Sequence, residues 1–212
     1  RLKKITTRNL IRISKKIKKI ARKNKVKFLI NDKPLIAKKI GADGCHIGQK
    51  DTSYKKSRKI LGKNKIIGIT CHNSKNLALK AKKVKANYIA FGSFFKSSTK
   101  KSPFKANLAI LRWAKKKINM PTVAIGGINL QNVGNLMKLG VAGVAVISNI
   151  LNNQKPLDNF LMLKEKIEKD WRLNILITGG TSGLGYYTAL KLAEDHRNKI
   201  LLIGSNSAKG IK

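Results

Sequence analysis

A chain of 212 residues, 42% of them hydrophobic, is long enough to bury a sizeable core, which excludes disorder of the whole molecule. No apolar run reaches 18 residues and no apolar leader stands at the N-terminus, so neither a membrane span nor secretion is indicated and a cytoplasmic protein is expected. A formal charge of +38 points first to nucleic acid, but 39 lysines against 8 arginines, with little aromatic interleaving, lack the Arg forks and stacking rings of a nucleic-acid-reading surface, so nucleic acid is not the expected partner.

In chain order, Leu10, Ile13, Ile17, Ile20 and Ala21 recur at helical spacing, which predicts an amphipathic helix over 10–25 with its lysines on the solvent face. Six short apolar runs follow, at 27–32, 44–48, 66–70, 87–92, 122–127 and 143–148, with helical stretches between them. Apolar strands alternating with helices mean a parallel sheet covered by helices. A closed (βα)8 barrel and an open doubly wound sheet both satisfy this pattern. Cys45 and Cys71 have neither metal-site spacing nor the numbers for a disulfide framework, and read as buried thiols. The stretch 153–170 is polar and reads as a final helix or linker. Then the texture changes: an apolar strand at 173–178, a glycine-rich turn from Gly179 to Gly185, an amphipathic helix at 187–195 and a second strand at 199–204. This reads as the start of a new βαβ unit, with a boundary at about residue 171.

Before residue 158 the chain has only three carboxylates, Asp32, Asp43 and Asp51. Asp32 and Asp51 fall at the C-terminal ends of neighbouring strands, the edge on which (βα)8 barrels build their sites. Two carboxylates there suit a hard cation such as Mg²⁺ that shares its oxygen ligands with substrate phosphates. They also suit a helix cap at Asp32 and a turn closed by Asp51. Asp43, within Gly41-Ala42-Asp43-Gly44, reads as a turn residue. On the same edge, Gly126-Gly127 and Ile147-Ser148 follow strands where barrels bind phosphate through backbone N–H groups. Lys96-Ser97-Ser98-Thr99-Lys100-Lys101 adds hydroxyls and ammonium groups after the strand at 87–92.

The run Phe28-Leu29-Ile30-Asn31-Asp32, with Gly41-Ala42-Asp43-Gly44-Cys45-His46-Ile47-Gly48-Gln49-Lys50-Asp51, resembles the thiamine phosphate synthase family. The likeness continues through Ile67-Gly68-Ile69-Thr70-Cys71-His72, Val123-Ala124-Ile125-Gly126-Gly127-Ile128 and Gly143-Val144-Ala145-Val146-Ile147-Ser148, over about residues 1–155. It implies a (βα)8 TIM barrel and a Mg²⁺-dependent transfer of an aminopyrimidine methyl group from its pyrophosphate to the ring nitrogen of a thiazole phosphate. Asp32 and Asp51 match metal ligands of the family; Asn31, Thr70 and Lys100 match positions that hold the pyrimidine pyrophosphate, with Lys100 offsetting its developing charge. Ser97, Ser98, Thr99, Gly127, Ile147 and Ser148 match the thiazole phosphate site. Lys96 and Ser97-Ser98 depart from the family's usual proline and threonine-containing loop. A related branch isomerises the thiazole instead, and His72 could serve it as a proton-transfer group.

Arg1 and Lys3 look like the end of the family's phosphate-binding second strand. On that placement the first strand and most of the second are missing, and an incomplete barrel with open edges is expected. The tail, 172–212, resembles the N-terminus of short-chain dehydrogenases, with Gly179, Thr181, Ser182, Gly183, Leu184 and Gly185 matching the turn that approaches a dinucleotide pyrophosphate. A Rossmann-type fragment that binds NAD(P), separate from the barrel and joined by a linker at 156–171, is the expectation there.

Overall fold

Strands and helices alternate along the chain in the computed structural model, which describes residues 6–96, 103–151, 155–168, 174–178 and 200–204. Helix α1 (Thr7–Lys23) opens on Thr6, whose hydroxyl accepts the Asn9 N–H, and buries Leu10, Ser14, Ile17 and Ala21 along one stripe. That spacing is the one the sequence predicts, and it leaves the lysines of α1 on the outer face. The units that follow are β1 (Lys27–Asn31) and α2 (Pro34–Ile40), β2 (Gly44–Ile47) and α3 (Tyr54–Leu61), β3 (Ile66–His72) and α4 (Lys75–Lys83). Next come β4 (Tyr88–Gly92) and α5 (Leu108–Lys117), β5 (Thr122–Ile125) and α6 (Val133–Met137), then β6 (Gly143–Val146), α7 (Ser148–Leu151) and α8 (Pro156–Glu168).

Strands β1 to β6 pair in sequence order, every pair parallel, as a curled six-strand sheet. Side-chain alternation sorts their residues into two layers. Phe28, Ile30, Cys45, Ile47, Ile67, Ile69, Ile89, Phe91, Val144 and Val146 belong to the larger buried cluster shared with the helices. Leu29, Tyr88, Ala90, Val123 and Ala145 form a second, smaller cluster inside the curl. Strands covered on both faces need both layers apolar, which is why the sequence reads as continuous apolar runs.

Two further strands complete the ring. Strand β7 (Asn174–Thr178) pairs parallel with β6, β8 (Ile200–Gly204) pairs parallel with β7, and β8 meets β1 with Phe28 opposite Leu202. All eight strands form a closed barrel. This corrects the expectation of an incomplete barrel, because the strands read as the start of a separate sheet stand where the missing strands were expected. The physical reason lies in the edges: β1 and β6 each present unpaired backbone donors and acceptors, and an apolar parallel strand pair satisfies both. The parallel adjacency of β7 and β8 is what any βαβ connection demands, and nothing in the pairing sets the two strands apart as a Rossmann-type fragment. Gly179, Thr181, Ser182, Gly183, Leu184 and Gly185 lie outside the described residues. The polar stretch after 153 is largely helical, as α8, which buries Phe160, Leu163 and Ile167.

Candidate functional site

Strand register assembles the centre of the barrel. Asn31 stands opposite His46, His46 opposite Gly68, and Gly68 opposite Tyr88, so these four residues form one row across β1 to β4. Gly68 is the gap in the row. A Cβ there would lie 2.0 Å from the Tyr88 ring, so only glycine lets that ring lean across β3 toward β2. The Tyr88 ring then stacks on His46 with centroids 5.4 Å apart, and its hydroxyl meets His46 Nδ1 at 2.8 Å. On its other side His46 Nε2 meets Thr70 Oγ1, also at 2.8 Å. Burial pushes the His46 imidazole down to about 4, against a smaller opposing effect of Asp51, so the ring is neutral at pH 7. Burial likewise raises the Tyr88 phenol, which stays protonated.

The carboxylates sit just above this row. Asp32 follows β1 directly with φ 62°, and its N–H donates to the His46 carbonyl at 2.8 Å. The residue preceding α2 as its N-cap is Lys33, one position past Asp32. Asp51 is exposed and does close a turn: its Oδ2 accepts the Gly48 N–H at 2.8 Å. The two charges act on a common neighbour. The Cys45 thiol is pushed up to about 12, first by burial, then by the negative charge of Asp32 and, more weakly, of Asp51. Asp43 belongs to the opposite end of the barrel, where Oδ2 accepts the Phe28 N–H at 2.9 Å and Oδ1 lies 3.8 Å from Lys27 Nζ.

Asn31 carries a different signal. Its Oδ1 is buried and has no hydrogen-bond partner among the described residues. A buried amide oxygen left unpaired costs about 1–3 kcal/mol, so its persistence at a strand end above a polar row marks a place where a ligand donor fits. The two carboxylates fit a hard cation by their chemistry. Among the described residues no group of three His, Cys, Asp or Glu side chains gathers; Mg²⁺ generally takes one or two protein carboxylates and completes its shell from water and phosphate.

Further round the edge, Gly126 and Gly127 take φ 102° and 63°, ending β5 at Ile125, short of the predicted 127. A Cβ on Gly127 would lie 2.3 Å from the Lys96 carbonyl oxygen, so the loop after β4 crosses directly over this turn. Ile147 is half-buried just after β6, and Ser148 opens α7. His72 ends β3 past a register shift and stacks on Phe104, with ring centroids 4.0 Å apart. Arg1, Lys3, Ser97, Ser98, Thr99 and Lys100 lie outside the described residues. Thus the structure places Asn31, Asp32, Thr70 and the Asp51 turn on or just past the neighbouring strands β1 to β3, and Gly127, Ile147 and Ser148 just past β5 and β6. Residues the sequence did not single out are His46, Gly68 and Tyr88; their signals were inward parity in adjacent runs and, for His46 and Gly68, a place inside the runs that carry the family resemblance.

Two open clefts lie elsewhere. One of about 530 Å³ lies between the N-termini of α4 and α5, lined by Asn73, Lys75 and Asn107, and one of about 320 Å³ near Asn119 and Gly140. Neither holds a carboxylate or a group with a displaced pKa. The barrel mouth therefore remains the candidate site. No described helix is long and apolar enough to cross a membrane.

Residues 1–150 match the family model described as Thiamine monophosphate synthase. Among curated relatives, the Thiamine-phosphate synthase of Pelagibacter ubique (strain HTCC1062) is 54% identical over 166 residues, covering 77% of this chain and 80% of that one. The Thiamine-phosphate synthase of Clostridium novyi (strain NT) is 43% identical over 154 residues, covering 72% and 75%. Among solved structures, the thiamine phosphate pyrophosphorylase from Pyrococcus furiosus superposes with a TM-score of 0.72 at 30% identity, covering 79% of this chain and 80% of that one.

Proposed function

Because the chain belongs to the thiamine phosphate synthase family, we propose that its barrel mouth joins hydroxymethylpyrimidine pyrophosphate to a thiazole phosphate. The carbon–oxygen bond between the pyrimidine methylene and its pyrophosphate breaks, and the thiazole ring nitrogen supplies the electron pair for the new carbon–nitrogen bond. Pyrophosphate departs with the electrons of the broken bond. No proton need be moved in that exchange, which accords with a neutral His46 and a protonated Tyr88 at the centre of the barrel.

The observation that carries this reading is the buried, unpaired Asn31 Oδ1 beside Asp32. An acceptor in that state suits the exocyclic amine of an aminopyrimidine, which would otherwise leave its donors in water. Thr70 offers a hydroxyl one strand further on. Lys100, from the loop after β4, offsets charge on the departing pyrophosphate. Asp32 and Asp51 hold Mg²⁺, which when bound supplies Lewis-acid stabilisation of the leaving group. Gly127, Ile147 and Ser148, with Ser97, Ser98 and Thr99, receive the thiazole phosphate; Arg1 and Lys3 add cationic groups for the phosphates. Positioning two substrates on one rigid barrel edge lowers the entropic part of the barrier.

The test compares three substitutions. Asp32→Asn and Asp51→Asn keep side-chain shape but remove charge, and each lowers kcat for pyrophosphate release by on the order of 10² or more, with a raised Mg²⁺ requirement. Asp43→Asn retains an acceptor for the Phe28 N–H at the far end of the barrel and leaves the rate nearly unchanged. Near-normal rates and unchanged Mg²⁺ dependence for the first two would sink the metal assignment.

A further inference from the structure

We propose that His46 is a positioning residue: held between Tyr88 and Thr70, it turns the Thr70 hydroxyl into a hydrogen-bond donor for the pyrimidine pyrophosphate substrate. The inference deepens the synthase reading above and rests on it.

The argument begins from what each group can donate. The Tyr88 hydroxyl has one proton, the residue is 6% exposed, and its one hydrogen bond among the described residues is the contact with His46 Nδ1. If Nδ1 carried a proton and donated to Tyr88, the phenolic proton would be left buried without an acceptor among the described residues. Tyr88 therefore donates to Nδ1. A neutral imidazole then carries its proton on Nε2, and Nε2–H donates to Thr70 Oγ1. With that oxygen already accepting, the Thr70 proton is the free end of the chain. It is the only proton in the series that can reach a ligand acceptor, and Thr70 is half-buried, so the hydroxyl retains access to the mouth.

Each part of the chain has a visible cause. The absent side chain at Gly68 admits the Tyr88 ring, and the stack of that ring on His46 fixes the imidazole plane. Strand register then puts His46 one strand from Thr70. An unassisted threonine hydroxyl can spend its proton on a protein acceptor; this one has a lone pair engaged by His46 and its proton left to donate. That is the polarity an anionic substrate needs.

The test uses amide replacements that imitate one ring nitrogen each. In His46→Gln the side-chain amide reaches the Nε2 position and can still donate to Thr70; in His46→Asn it reaches only the Nδ1 position. Binding of hydroxymethylpyrimidine pyrophosphate, measured by calorimetry with Mg²⁺ and without the thiazole substrate, should weaken about tenfold to a hundredfold in His46→Asn, the range expected for a hydrogen bond to a charged group. His46→Gln should bind at least fivefold more tightly than His46→Asn. Thr70→Val should weaken binding similarly, and combining it with His46→Asn should add little, because both act through one bond. In the unaltered protein, ¹⁵N spectra of the histidine rings at neutral pH should show His46 protonated on Nε2 alone. Protonation on Nδ1, equal binding by the Gln and Asn variants, or additive losses with Thr70→Val would overturn the proposal. Binding without turnover would refute the synthase reading while these comparisons still decide the role of His46; absence of binding would overturn both.

Discussion

Gly68 shows how much of the site depends on a side chain that is not there. Adding one methyl at that position drives a Cβ to within 2.0 Å of the Tyr88 ring, and the stack on His46 blocks the ring's retreat on that side. Overpacking of this kind costs about 1–3 kcal/mol. Gly68→Ala should therefore lower the unfolding free energy measured in urea by that amount, and substrate affinity should fall with it, since a displaced Tyr88 releases His46; an unchanged midpoint would mean that the ring is not confined. The thiols make a second test at this scale. Cys45 and Cys71 are both buried, and burial pushes each thiol up to about 12, with Asp32 adding to the effect at Cys45. Raised thiol pKa values favour the neutral form in the folded chain, so their contribution to stability is intact below about pH 9 and is lost as pH rises from there toward 12. At pH 8 a thiol reagent should leave both cysteines of the native protein unmodified and titrate both in urea. Rapid modification of either in the native state would contradict its burial.

Among the elements, the strands were legible because burial on both faces writes itself as unbroken apolar runs. Strand β6 occupies 143–146 of the expected 143–148 and β1 occupies 27–31 of 27–32. Departures have local causes. Strand β5 stops at Ile125 because Gly126 and Gly127 turn into positive φ, where the loop after β4 crosses. Strand β3 runs on to His72 through a register shift that no periodicity announces. The site was legible only in part, and for a related reason. Asp32 and Asp51 stood out as scarce carboxylates in a basic chain, and their strand-end placement follows from strand boundaries alone. His46, Gly68 and Tyr88 form a row only once three parallel registers are fixed, and register between strands some 20 residues apart is a tertiary property. The surroundings of the two carboxylates also emerged only in three dimensions: Asp51 closes its turn, whereas the N-cap position of α2 falls to Lys33.

For the molecule as a whole, the decisive feature is that a closed ring has no edge. Its last two strands come from the segment whose sequence reads as the opening of a different fold, and they join β6 to β1 through three parallel ladders. Parallel pairing is indifferent to the identity of a strand provided that it is apolar and extended, conditions that 174–178 and 200–204 meet. Two opposite expectations follow for the segment. Read as a separate fragment, it can be removed without effect on the barrel. Read from the pairing, its removal strips hydrogen-bond partners from both β1 and β6, exposes the interior cluster of Leu29, Val123 and Ala145, and leaves two open parallel edges in a strongly basic chain. The loss should rival the roughly 5–15 kcal/mol that holds a domain together. A chain ending at residue 168 should then lack a cooperative urea transition and should self-associate in size-exclusion chromatography at moderate salt, where repulsion between lysines is screened. A milder probe works inside the full chain: Leu176→Pro removes a backbone N–H from β7 between Ala145 and Leu201 and should cost about 3 kcal/mol or more. If the shortened chain unfolds with the same midpoint as the full one, and Leu176→Pro leaves that midpoint unmoved, then the ring is not closed by these strands in solution.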